Sequence, residues 1–158
     1  MPSIQIAGRT VLFDKEDSHH FEQLIWTVRM SGTTCYVQRC VYRDGKYVGV
    51  ESLHRLVTNC PSDMVVDHIN GDGLDNRRAN LRVCTQAENV RNRRIHSNNR
   101  SGFKGVYFDP SSTIRPWRAK ISINGKRIRL GRYASAEEAH KAYKAAAKQY
   151  HGEFARAG

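Results

Sequence analysis

The residues with the greatest chemical capacity lie in one stretch, DHINGDGLDNRRANLRVCTQAENVRNRR, residues 67–94. It sets an Asp–His pair, Asp67 and His68, at the end of a short apolar run and brings in Asn80 and Asn89 further on. Asp67 offers a hard carboxylate oxygen and Asn89 a hard amide oxygen, donors suited to one Mg2+ or Mn2+ ion. His68, with an unperturbed pKa of about 6.5, can serve as a neutral base at physiological pH. An ion and a neutral imidazole together meet the needs of phosphodiester hydrolysis: the imidazole deprotonates water, and the ion offsets charge on the phosphate and leaving oxygen. Within a strand, neighbouring side chains point to opposite faces, so Asp67 and His68 converge on one phosphate only if the strand ends there. Asn80 reads as a tether whose side chain fixes the intervening loop and so holds His68 in place.

Positioning these groups requires particular elements. Residues 64–67 read as a short strand, with His68 at or just beyond its end. Residues 70–80 are turn-rich and polar, and such a loop persists only if side chains or a ligand satisfy its backbone. Residues 81–84 form a second strand. Thr85 and Glu88 make a capping box that opens a helix running to about Arg94. Upstream, residues 3–13 suggest one or two short strands around Gly8, and residues 14–20 are turn-like. Residues 21–26 fit either helix or strand. Residues 35–42 alternate loosely and turn at Asp44 and Gly45 into residues 47–50. Leu53, Leu56 and Val57 sit at helical spacing in residues 52–59, and Pro61 closes that helix.

Charge indicates the partner. Lys and Arg number 26 against 15 Asp and Glu, a net charge of +11, which predicts counterion-releasing contact with a polyanion, most simply DNA or RNA. Neither a long apolar stretch nor a basic amphipathic helix supports an anionic membrane, and no signal peptide shows, so the chain reads as intracellular and cytoplasmic. Cys35, Cys40, Cys60 and Cys84 lack the spacing of common zinc knuckles. They read as buried free thiols, with a zinc site the alternative and disulfides last in a reducing compartment. At 158 residues the chain accommodates one medium domain or two small ones. The boundary falls in RNRRIHSNNRSG, residues 91–102, where Arg91, Arg93, Arg94 and Arg100 have no acidic residue among them. That stretch reads as a linker tracking a phosphate backbone, against the plainer reading of a solvated linker. Arg77, in the polar loop, joins the candidate DNA contacts.

Beyond the boundary the pattern is regular. Residues 103–108, 116–123 and 126–130 read as strands, the last two joined by a two-residue type I′ turn at Asn124 and Gly125. Arg118, Lys120 and Ser122 share one face, continued across the turn by Arg127 and Arg129. Trp117, Ala119, Ile121 and Ile123 share the other face with Ile128 and Leu130. Ser135 and Glu138 cap a helix whose Ala139, Ala142, Tyr143, Ala146 and Tyr150 recur every three or four residues until Gly152. A helix behind a three-stranded antiparallel sheet leaves the other sheet face bare and basic, an arrangement that calls for a partner.

The motif DHINGDGLDNRRANL followed by TQAEN resembles the HNH nucleases, whose site is a ββα-metal unit of two antiparallel strands, a loop and a helix around one divalent ion. The resemblance implies His68 as base, Asp67 as metal ligand, Asn80 as the central Asn, and Asn89 at the last position, where homing-type members carry Asn in place of His. It argues against zinc as the catalytic ion. The upstream LHRLV, residues 53–57, also resembles what precedes the site in phage and intron-encoded members, with His54 an accessory phosphate contact or a structural imidazole. The pieces GVY, WRAKI, LGRY and AEEAHKAY resemble the AP2/ERF DNA-binding domain, which reads the major groove with its sheet. That places Tyr107, Arg118, Lys120, Ser122 and Arg129 on the reading face. Tyr107 and Arg129 depart from the Arg and Trp usual in plant members, so a target sequence does not transfer.

Together these readings give an α+β chain. Residues 1–94 hold a β-rich N-terminal extension and an HNH nuclease domain, residues 95–102 a basic linker, and residues 103–158 an AP2-like domain of three antiparallel strands on one helix. The expected function is metal-dependent DNA endonuclease activity of phage or mobile-intron type on double-stranded DNA. The alternative is a DNA-binding protein on a nuclease-like scaffold, and an RNA enzyme stands third because the C-terminal face is cationic rather than aromatic. No obligate protein partner is evident. Monomer and dimer, and nicking and double-strand cleavage, stay open.

Overall fold

The computed structural model describes residues 2–92, 95, 98–123 and 125–155. The chain divides into two compact units, Met1–Asn89 and Val90–Gly158.

The first unit opens with a hairpin of β1 (Ser3–Ile6) and β2 (Arg9–Leu12). Ala7 and Gly8 both have positive φ, 50° and 73°, the backbone of a tight hairpin turn. A single 3-10 turn and the short helix α1 (His19–Gln23) lead into three antiparallel strands, β3 (Thr27–Ser31), β4 (Thr34–Arg43) and β5 (Lys46–Ser52), in that order across the sheet. The expected turn at Asp44 and Gly45 joins β4 to β5, again with both φ positive. Strand β3 was not expected. Its five residues alternate, with Val28 and Met30 on one face, but two apolar positions are too short a run to mark a strand, and only Val28 is half-buried.

Helix α2 (Leu53–Thr58) follows, then strands β6 (Val65–His68) and β7 (Leu81–Cys84), then helix α3 (Gln86–Arg91). Leu53 and Val57, one helical turn apart, bury completely against Val11, Val37, Val66 and Leu81, so α2 seats the β6–β7 hairpin on the three-stranded sheet. The expected capping box is present: Glu88 N–H donates to Thr85 Oγ1 at 3.3 Å, and Thr85 N–H donates to the Glu88 carboxylate at 2.8 Å. The helix was expected to run to about Arg94, but it ends at Arg91 with Asn92 in a turn; residues 93 and 94 lie outside the described residues.

In the second unit β8 (Val106–Phe108), β9 (Trp117–Ile123) and β10 (Lys126–Tyr133) form an antiparallel sheet in the order β10-β9-β8, and α4 (Ala136–His151) packs on it. Ile123 pairs with Lys126, so the connection has two residues; Asn124 lies outside the described residues, and Gly125 has φ 76°. Strand β8 is shorter than expected because Ser101 and Asn99 fold residues 99–103 into a turn, with Ser101 N–H donating to Asn99 Oδ1 and Ser101 Oγ within bonding distance of the Phe103 and Val106 carbonyls. Gly105 is fixed by close approach: a Cβ there would meet the Tyr143 ring at 2.3 Å and the Lys120 carbonyl at 2.7 Å. Ser135 Oγ accepts from Glu138 N–H at 3.1 Å at the start of α4, whose Ala139, Tyr143, Ala146 and Ala147 are buried. Among the described residues no helix is long and apolar enough to cross a membrane.

Candidate functional site

Strand β6 ends at His68, and its last two residues are both about 5% exposed. In register, Asp67 faces Arg82 of β7 and His68 faces Leu81. The Arg82 guanidinium grips Asp67 Oδ2 from Nε at 2.8 Å and Nη2 at 2.6 Å. Arg82 is the only polar residue of LRVC, which is the signal by which pairing the two strands would have found it.

The loop after His68 is bound internally. Asn80 Oδ1 accepts from Asn70 N–H at 3.0 Å, its Nδ2 donates to the Asp75 carbonyl at 2.8 Å, and its own carbonyl accepts from Ile69 N–H at 2.9 Å. Asn80 therefore joins the loop's start, middle and end. Asp75 holds Arg77 through Nε at 2.7 Å and Nη2 at 2.6 Å, and that guanidinium keeps its carboxyl below the usual range. From outside, the β1–β2 hairpin clamps the loop: Leu12 N–H donates to the Leu74 carbonyl and Asn76 N–H to the Leu12 carbonyl. Arg78 reaches Asp17 at 2.7 Å, and its N–H donates to Asp14.

His68 sits among aromatic rings. Its imidazole lies edge-on to His54 at 5.1 Å and 5.8 Å from the Tyr36 ring, and Tyr36 is 5.7 Å from His54. Gly73 presses on the back of this group, since a Cβ there would lie 2.3 Å from the Cys35 carbonyl and 2.7 Å from the Tyr36 ring. Burial pushes the His68 pKa below its ordinary value, opposed by a hydrogen bond the imidazole donates to Asn76 and by the charges of Asp67, Asp72 and Asp75. Burial pushes His54 down to about 3, helped by His68 and Arg55. Both imidazoles are thus neutral at pH 7. Tyr36 and Asn76 were missed from sequence; each reaches His68 only through strand register or loop closure.

Asn89 is half-buried in the first turn and a half of α3, its N–H donating to the Thr85 carbonyl. Among the described residues no group of three or more His, Cys, Asp or Glu could hold a metal ion. The Asp67 carboxylate, held by Arg82, and the Asn89 amide oxygen are hard donors of the kind magnesium accepts. The four cysteines are free thiols; Cys84 is buried as expected, whereas Cys35, Cys40 and Cys60 are only half-buried.

In the second unit Tyr107 pairs with Arg118, Lys120 with Arg129 and Ser122 with Arg127, which puts all six on one face. The Lys120 ammonium lies 4.4 Å from the Tyr107 ring centroid. Arg118 ion-pairs with Asp109, which Arg132 also contacts at 2.9 Å. Arg127 and Arg129 are exposed, as is Arg100, whereas Arg91 is half-buried. Arg93 and Arg94 lie outside the described residues.

Residues 53–91 match the family model described as HNH endonuclease, and residues 101–153 match the AP2 domain. The chain is 28% identical over 126 residues to a protein of Acanthamoeba polyphaga mimivirus named as an uncharacterized HNH endonuclease, covering 76% of this chain and 64% of that protein. It is 29% identical over 96 residues to Protein 3.8 of Escherichia phage T7, covering 61% of this chain and 77% of that protein. No solved structure matches. The chain contains an HNH endonuclease domain and an AP2 domain. Its first unit has the mixed β/α topology consistent with an HNH-like fold, and the sheet of β8, β9 and β10 on α4 matches an AP2-like fold.

Proposed function

We propose that this chain is a metal-dependent DNA endonuclease that hydrolyses phosphodiester bonds at sites chosen by its AP2 domain. The observation that carries the reading is the neutral His68 beside Asp67 at the closing end of β6, with the loop behind it tied by Asn80. His68 takes a proton from the attacking water. The carboxylates of Asp67, Asp72 and Asp75 then favour the imidazolium that results. Asn76 and the Tyr36 and His54 rings fix the direction of the imidazole. Asp67 and Asn89 would hold one magnesium or manganese ion, which when bound offsets charge on the phosphate and leaving oxygen. β6, β7 and α3 would form the ββα-metal unit. Tyr107, Lys120, Arg127 and Arg129 would contact duplex DNA, with Arg118 taking part once exchanged from Asp109.

The test is cleavage of supercoiled plasmid with and without magnesium or manganese, resolving nicked from linear product, with His68→Ala alongside. Ion-dependent nicked circles that vanish in His68→Ala support the reading, and prompt linear product points to paired sites. A second reading, DNA binding on a nuclease scaffold without catalysis, is favoured by the burial of Asp67 and its ion pair with Arg82. It requires that the protein bind the plasmid and yield no product with either ion.

A further inference from the structure

The sheet of β3, β4 and β5 lies outside both matched segments and has one face committed to the core. Val28 and Val37 pack inward on that face, and Arg39 and Glu51 pair there at 2.6 Å. The opposite face carries Thr27 and Arg29 from β3, Tyr36, Gln38, Cys40 and Tyr42 from β4, and Tyr47, the exposed Val50 and Ser52 from β5, by alternation and register. No carboxylate falls on it. Arg29 stands directly opposite Tyr36. Tyr42 and Tyr47 pair across the strands, their rings 5.9 Å apart, and are 62% and 58% exposed.

Two features fit this face to one occupant. The first is charge and chemistry: a cation, tyrosines and neutral donors without an acid is the composition that meets a phosphate backbone and sugar edges. The second is continuity. Tyr36 belongs to this face, and its ring lies 5.8 Å from that of His68. From Tyr36 to Tyr42 is about 20 Å along the strand, or about six base-pair steps of duplex axis.

We propose that the open face of the β3–β4–β5 sheet is a second DNA-binding surface, separate from the AP2 domain. It would hold the duplex flanking the cut, with Arg29 on a phosphate and Tyr42 and Tyr47 against the sugar–base edge. The proposal rests on the reading of this chain as a DNA-cutting protein, and its test uses binding without cleavage.

The experiment is hydroxyl-radical footprinting of the full chain, bound to a random-sequence duplex in excess EDTA and analysed by mass spectrometry. Salt-dependent affinity is measured for the parent and for Arg29→Glu. Tyr42 and Tyr47 should lose oxidation severalfold on DNA binding, while Met30, 69% exposed on the opposite face, keeps it. Arg29→Glu should weaken binding severalfold and flatten its salt dependence by about one counterion. Protection confined to residues 101–153, with Arg29→Glu binding like the parent, overturns the proposal even if plasmid cleavage is intact. Protection of both tyrosines without plasmid cleavage supports the surface and sinks only the nuclease reading. Failure of the parent to bind DNA overturns both.

Discussion

His54 makes the first unit acid-labile in a way that one substitution should remove. Its pKa lies at about 3 in the folded chain, and its Nδ1 is buried with no hydrogen-bond partner among the described residues. In the unfolded chain it titrates at about 6.5. Between these values the unfolded state binds a proton that the folded state refuses. The stability present above about pH 6.5 is therefore lost on acidification, at about 1.4 kcal/mol per pH unit, until the folded imidazole protonates near pH 3. From pH 7 to pH 5 the loss due to His54 is about 2 kcal/mol. Urea unfolding followed by the fluorescence of Trp26, buried in the core that seats α2, reads this directly in a Trp117→Phe background. His54→Gln should lose about 2 kcal/mol less than the parent over that interval. His20, His68, His140 and His151, whose pKa values are also lowered, are common to both proteins and cancel in the difference, apart from the mutual repulsion of His54 and His68 that the substitution removes. Equal losses in parent and variant would refute the argument.

Gly73→Ala should cost about 1–3 kcal/mol, because its Cβ would meet the Cys35 carbonyl and the Tyr36 ring, and a thermal melt measures the loss. A variant as stable as the parent would show that the loop does not press on Tyr36. The acid limb of the cleavage rate should have its midpoint below the ordinary histidine value of about 6.5, since burial lowers the pKa of His68 and the neutral ring is the base. A pH–rate profile with its midpoint above that value would remove His68 as the base. Arg129→Ala should weaken duplex binding and lower the salt slope by about one, measured by anisotropy at several salt concentrations. An unchanged slope would take Arg129 off the phosphate backbone.

The legible parts of the chain were those whose signal is local. Asn80 lies at the end of the polar loop it ties, and the Thr85–Glu88 and Ser135–Glu138 boxes announce their helices within four residues. The C-terminal hairpin was legible because its alternation runs unbroken across a two-residue turn. What was not legible depends on pairing between distant segments. Arg82 meets Asp67 only in the β6–β7 register, and Tyr36 reaches His68 only once α2 has docked on β4. Arg77 and Arg118 read as free cations in sequence, yet each is engaged by an aspartate, Asp75 and Asp109. Formal charge therefore overstates the cationic surface.

The clamp of the N-terminal hairpin on the loop behind His68 bears on the order in which the chain acquires structure. The Arg78 bonds to Asp14 and Asp17 span 64 and 61 residues, so the loop gains its outer support only after a large ring of chain has closed. The β6–β7 hairpin and α3 are local and form early; the clamp is non-local and forms late. During synthesis the first strands must wait for residue 78 to emerge before they find their partner. A ribosome-bound chain would thus carry its histidine and aspartate on a hairpin whose loop is still slack. On the proposed function, competence to cut would arrive with closure of the first unit, while the sheet of β8, β9 and β10 is still being made.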